Sequence, residues 1–142
     1  PDLDHTDFLV IMGANPYASN GSLCTAPDFP GRIEAIQARG GTVVVVDPRR
    51  SRTAEQADQW VAIRPGTDAL LLAAMATTLA QEGLVALGDH VAPHLQGTDE
   101  VIAALAVFTP ESVELATGVS AGDIRTLARG LAAAASGSTG SL

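Results

Sequence analysis

The chain has 142 residues, 46% hydrophobic but only 4% aromatic, so it fits one ordinary domain whose core is packed almost wholly from Ala, Val, Leu and Ile. Its formal charge is −8 and all eight of its basic residues are arginine. An acidic chain without lysine argues against sequence-independent binding to DNA or RNA, and it excludes lysine Schiff-base and phosphate-loop chemistry.

Phe8 to Met12 is a continuous apolar run closed by Gly13, the pattern of a buried strand. Gly13-Ala-Asn-Pro16 follows as a loop, because Pro16 disfavours helix at Asn15. Residues 17–30, rich in Ser, Asn, Gly, Asp and Pro, extend that loop over the surface. The only cysteine, Cys24, lies here; it supplies neither a disulfide nor a Cys₄ cluster and reads as a small buried hydrophobe. A helix is predicted over 31–39, with Ile33 and Ile36 inward and Gly40-Gly41 as its stop.

Thr42 to Val46, with four consecutive valines, is the clearest strand, ending at Asp47-Pro48. A helical turn over 53–58 and a third strand over 60–63 come next. After the loop Arg64-Pro-Gly-Thr-Asp68, a long helix to Glu82 turns Leu71, Leu72, Met75 and Leu79 inward and stops at Gly83. The rest reads as helical, near 89–95, 98–106, 110–117 and 120–135. Pro110 opens one of these helices, and Ser120 with Asp123 caps another. Ser136 to Leu142 has linker composition.

This alternation predicts an α/β fold, a three-layer Rossmann-like parallel sheet of about three strands followed by a helical segment. The organisation expected is an α/β segment over 1–87, which the loop chemistry and family resemblance described below make dinucleotide-binding, its helical continuation over 88–135 and a flexible tail over 136–142. Three strands make a narrow sheet, which favours a truncated or interrupted domain. No apolar run reaches the ~18 residues of a membrane span. No basic segment followed by an apolar one marks a secretory leader either, so a cytoplasmic location is expected.

Ligands of open α/β sheets bind beyond the carboxyl ends of the strands, where strand order reverses. The first loop there offers Gly13, Asn15, Pro16 and Asn20. The second offers Asp47, Pro48, Arg49, Arg50, Ser51 and Arg52, and the third Gly66, Thr67 and Asp68. Their chemistry suits a nucleotide: a strand-end aspartate for ribose hydroxyls, forked guanidinium donors for phosphate, and a carboxylate that can accept from the N1–H and N2–H₂ edge of guanine. Each residue also has a plainer reading. Asp47 can open a turn, Asp68 can serve as a helix cap, and the arginines can form a solvated loop. His90 and His94 are four apart, but Pro93 lies between them and no Glu or Cys accompanies them, so metal binding is not expected.

The segments Gly13-Ala-Asn-Pro16, Val46-Asp-Pro-Arg-Arg-Ser-Arg-Thr-Ala54, Ala57-Asp58 and Ile63-Arg-Pro-Gly-Thr-Asp-Ala-Leu70 resemble the molybdopterin oxidoreductases of the dimethyl sulfoxide reductase superfamily, which includes formate dehydrogenases and nitrate reductases. Phe108-Thr-Pro-Glu, Thr117-Gly-Val-Ser-Ala and Ile124-Arg-Thr-Leu-Ala-Arg129 are similar too, so the resemblance covers about residues 7–132. It implies an internal piece of a longer molybdenum or tungsten oxidoreductase, one that grips a nucleotide arm of the bis-molybdopterin guanine dinucleotide cofactor. Gly13 and Asn15 would approach the phosphate or pterin side, Asp47 and Arg49 would hold ribose and phosphate, and Asp68 would read guanine. The family's iron–sulfur cysteines and metal ligand lie outside this segment, so no catalytic residue and no turnover are expected of this chain alone. The expected partners are the remaining domains of the parent enzyme and the cofactor. A packing domain without a ligand and an NAD-type nucleotide module are the competing readings; the missing Gly-x-Gly-x-x-Gly counts against the second.

Overall fold

The computed structural model describes residues 2–22 and 24–137, without the side chains of 135–137. Ser138 to Leu142, most of the expected tail, lies outside the described residues. The chain forms two compact units, one ending at Ile63 and the other beginning at Arg64.

The first unit carries a three-stranded parallel sheet in the order β1-β2-β3, with β1 at Phe8–Met12, β2 at Thr42–Val46 and β3 at Gln59–Val61. β1 and β2 are in register from Phe8↔Thr42 to Met12↔Val46, and Val44 to Val46 of β2 meet Gln59 to Val61 of β3. All four valines of β2 are buried, so both faces of the central strand are covered, as its unbroken apolar run requires. On one face Ile11, Val43 and Val45 pack with Phe29, Ile33 and Ile36. The order runs 1-2-3 without reversal, so these strands contain no switch point of the kind expected. Among the described residues the outer edge of β1 is unpaired, and an apolar groove of about 280 Å³ runs along it between Leu9, Met12, Cys24 and Phe29.

Two prolines shift the predicted helix boundaries. Pro16 opens a short helix, α1 (Pro16–Ser19), where a continuous loop was expected, and Pro30 lies in the first turn of α2 (Phe29–Ala38), which starts two residues early. The missing N–H of proline costs nothing in a first turn, and its fixed φ suits the helix. Asp28 caps α2 by accepting from Gly31 N–H at 3.3 Å. The third helix, α3, spans Arg52–Gln56, and the third strand ends at Val61, two residues before the predicted end. Asp58 braces that strand pair, its backbone N–H donating to Val43 C=O at 3.0 Å and its carboxylate accepting from Val43 N–H at 2.8 Å.

The second unit is helical: α4 (Asp68–Gln81), a 3-10 turn at Ala92–His94, α5 (Thr98–Leu105), α6 (Pro110–Thr117) and α7 (Ala121–Gly137). α4 packs against α5, α6 and α7. Its buried face is Leu71, Ala74, Met75, Thr77 and Thr78, whereas Leu72 is exposed, contrary to expectation. At about 100° per residue, the buried residues fall between roughly −120° (Thr77) and +40° (Met75) of Leu71, and Leu72 at about +100° lies outside that arc. Thr77 and Thr78 are buried because their hydroxyls donate to the carbonyls of Leu105 and Ala74 at 2.7 and 2.8 Å. The helix predicted near 89–95 shrinks to the 3-10 turn, where Pro93 withholds a donor. α7 runs through Gly137, two residues into the expected tail, since the run Ala132–Ala135 favours helix. Among the described residues, no helix is long and apolar enough to cross a membrane.

Candidate functional site

In a parallel pair the strands end on the same side, so the register Met12↔Val46 sets the first two loops next to each other. Gly13 N–H donates to Val46 C=O at 3.0 Å and Asp47 N–H to Val61 C=O at 3.1 Å, extending the ladder one residue past each strand. Gly13 then turns with φ of +61°, a conformation that suits glycine. After it, the backbone N–H groups of Ala14 and Asn15 have no partner among the described residues. The next N–H groups are taken: Tyr17 donates to Thr53 Oγ1 at 3.1 Å, and Ala18 and Ser19 donate to Asn15 C=O.

Asn15 and Thr53 join the loops directly. Thr53 Oγ1 donates to Asn15 Oδ1 at 2.7 Å, leaving the Asn15 amide nitrogen unpaired among the described residues. Pro16 is buried at the first position of α1, a helix-opening role. Asn20 closes that helix in the left-handed region, φ 52°, its backbone N–H donating to Pro16 C=O.

The second loop begins with a turn in which Asp47 Oδ1 accepts from Arg49 N–H at 2.7 Å. That is the plain turn reading of Asp47, and it occupies only one carboxylate oxygen. Pro48 is exposed between them, and Ser51 is the cap of α3, its Oγ accepting from Ala54 N–H. Trp60 Nε1–H donates to Asp47 C=O at 2.9 Å, and the Arg50 guanidinium lies 5.8 Å from the centre of its ring.

How the arginines are used decides which of them could take a ligand. Arg32 bonds Asp4, Arg39 bonds Leu3 C=O, Arg64 bonds Leu115 C=O, Arg125 bonds Glu111 and Arg129 bonds Glu82. Arg50 rests on Trp60. Arg49 and Arg52 are exposed, and among the described residues their guanidinium groups have no partner. Their forked donors are of the kind that pairs with anionic oxygens.

The third loop belongs to the second unit. Gly66 turns with φ of +79°, and Thr67 is the cap residue of α4, its hydroxyl donating to Arg64 C=O at 2.7 Å. Asp68 is the first helical residue, exposed, and it makes no cap bond and has no side-chain partner among the described residues. α6 holds the base of this loop: Arg64 N–H donates to Thr117 C=O at 2.8 Å and its guanidinium to Leu115 C=O at 2.6 Å. Thr53 and Trp60 were not singled out from the sequence as site residues. The position of Thr53 two residues after a capping serine was the available signal.

Among the described residues, no group of three or more His, Cys, Asp or Glu could hold a metal ion. Comparison with known proteins gives these loops a family setting. Residues 1–122 match the family described as molybdopterin oxidoreductase. The chain is 34% identical over 128 residues to formate dehydrogenase H of Escherichia coli (strain K12), covering 90% of this chain and 17% of that one. It is 35% identical over 142 residues to a nitrate reductase of Symbiobacterium thermophilum, covering 93% and 18%. Among solved structures, acetylene hydratase from Pelobacter acetylenicus superimposes with a TM-score of 0.73 at 28% identity, over 89% of this chain and 16% of that one. The chain thus spans less than a fifth of the length of these relatives. With the family match covering most of its length and the sheet and loops in place, the chain belongs to the molybdopterin oxidoreductase family.

Proposed function

We propose that this chain is the part of a molybdenum or tungsten oxidoreductase that holds the guanine-nucleotide end of a molybdopterin guanine dinucleotide, and that it performs no redox step itself. The observation that carries this reading is the pair Arg49 and Arg52, without partners among the described residues in a chain whose other six arginines are all engaged. Their forked donors suit phosphate oxygens, and the unpaired N–H groups of Ala14 and Asn15 add neutral donors of the same sense. The second carboxylate oxygen of Asp47 is available to ribose hydroxyls. Asp68 is assigned the base: an ionised carboxylate accepts only, and guanine offers it two adjacent donors where adenine does not. When bound, the metal–pterin end supplies the electron-transfer chemistry. This chain, with one cysteine, contributes no Cys₄ cluster of its own. The remaining domains of the longer enzyme are the expected partners that complete the site.

Calorimetric titration of the chain with GDP, and with ADP as matched control, tests the proposal. GDP is expected to bind more tightly than ADP, and Asp68→Asn to weaken GDP by about tenfold to a hundredfold. That corresponds to the ~1.5–3 kcal/mol of a hydrogen bond to a charged group. Equal affinity for the two nucleotides, or an Asp68→Asn variant that binds GDP as well as the parent, would remove Asp68 from the role.

A further inference from the structure

We infer that Thr53 is a positioning residue that fixes the Asn15 side chain as a donor toward a phosphate oxygen; this deepens the nucleotide-binding reading above and rests on it. Thr53 is 1% exposed, so its hydroxyl must find its partners inside the protein. Tyr17 N–H can only donate, and it donates to Thr53 Oγ1 at 3.1 Å. The hydroxyl has one hydrogen left to place, and Asn15 Oδ1 lies 2.7 Å away. The reverse amide orientation would aim two donors at the hydroxyl and strand its hydrogen in a dry site, an arrangement that buried polar groups avoid. The network therefore orients the amide: its oxygen accepts from Thr53, and its nitrogen is left unpaired among the described residues.

Asn15 then presents only N–H groups, from its side chain and its backbone, alongside the N–H of Ala14. These N–H groups fit an oxygen acceptor. Thr53 directly follows Arg52, one of the two arginines whose guanidinium groups have no partner among the described residues. The hydroxyl hydrogen of Thr53 is donated to Asn15 Oδ1 and the residue is buried, so toward an oxygen acceptor it acts through Asn15.

Two measurements on the complete 142-residue chain test this. The first needs no ligand: by NMR, both Asn15 Nδ2 protons should exchange with water at the rate of a free side-chain amide. Protection of either would show the nitrogen engaged within the protein rather than free for a ligand and would overturn the inference. The second uses inorganic pyrophosphate as the probe, titrated into Thr53→Val, Thr53→Ser, Asn15→Ala and the Thr53→Val/Asn15→Ala double variant. Thr53→Val should weaken binding at least threefold and Thr53→Ser should restore it, while Thr53→Val should have no further effect once Asn15 is alanine. An equal loss in both backgrounds would reduce Thr53 to a structural role. Failure of the unmodified chain to bind pyrophosphate would sink the phosphate-binding reading, and with it the donor role given to Asn15, while the exchange measurement would still decide whether the amide nitrogen is free.

Discussion

Gly118 illustrates how a single residue supports the third loop without belonging to it. It closes α6 with φ of +74°, and a β-carbon there would lie 3.5 Å from Arg64 Cγ, an ordinary van der Waals separation. Space is therefore not the constraint; backbone conformation is. An L-residue held in the left-handed region costs roughly 1–2 kcal/mol, so Gly118→Ala should destabilise the chain by about that much and Gly118→Asn by less. Urea unfolding followed by circular dichroism measures both, and equal losses would point to contact with Arg64 instead. Such residues are legible in part. Asp47, Arg49, Arg52 and Asp68 stand out because each follows an apolar strand or opens an apolar helix, where a charge has no packing reason to be. Thr53 does not stand out, because a threonine in a five-residue helix reads as filler until the fold brings Asn15 and Tyr17 to it.

Between elements, the second unit is tied by two ion pairs to α7. Arg129 reaches both oxygens of Glu82 at 2.8 Å, and Arg125 reaches Glu111 at 2.6 Å. Hydrogen bonding to these guanidinium groups holds the pKa of both glutamates below its ordinary value. A carboxylate whose pKa is lower folded than unfolded adds stability that is complete above the unfolded value, about 4.3, and is lost as pH falls through the folded one. Stability should thus drop with acid below about pH 4.3, and a Glu82→Gln/Glu111→Gln variant should show a shallower drop in thermal melts across that range. Unchanged slopes would mean that solvent already screens the pairs. The elements themselves were readable where one pattern dominated: four valines for β2, Thr109-Pro110 for α6, Ser120 with Asp123 for α7. They were misread where proline opens a helix, at Pro16 and Pro30, because proline also marks loops and local sequence does not separate the two uses. The inward set of α4 failed at Leu72 for a different reason. Hydrophobicity alone ranked it above Thr77 and Thr78, whose hydroxyls are satisfied by nearby carbonyls and so can be buried.

Over the whole molecule, apolar exposure and charge pull in opposite directions. The large hydrophobic residues exposed among the described residues, from Leu84 and Leu131 at 37% to Val107 at 70% and Leu115 at 82%, all belong to the second unit. An apolar groove of about 330 Å³ there is lined by Leu79, Val85, Leu95, Val101, Ile102 and Leu105. Apolar exposure on this scale favours association of the chain with itself. The net charge of −8 opposes it, and the balance depends on salt. The Debye length falls from about 30 Å at 0.01 M to about 3 Å at 1 M, which removes most of the repulsion and leaves the apolar attraction. The chain should therefore sediment as a monomer in dilute buffer and associate as salt is raised. Val101→Asn/Val107→Asn, which leaves the charge unchanged, should suppress the association. A chain that stays monomeric at 1 M salt would show that these side chains are too dispersed to act as one surface. Association that survives the double substitution would place the contact elsewhere, with the unpaired edge of β1 as the next surface to test.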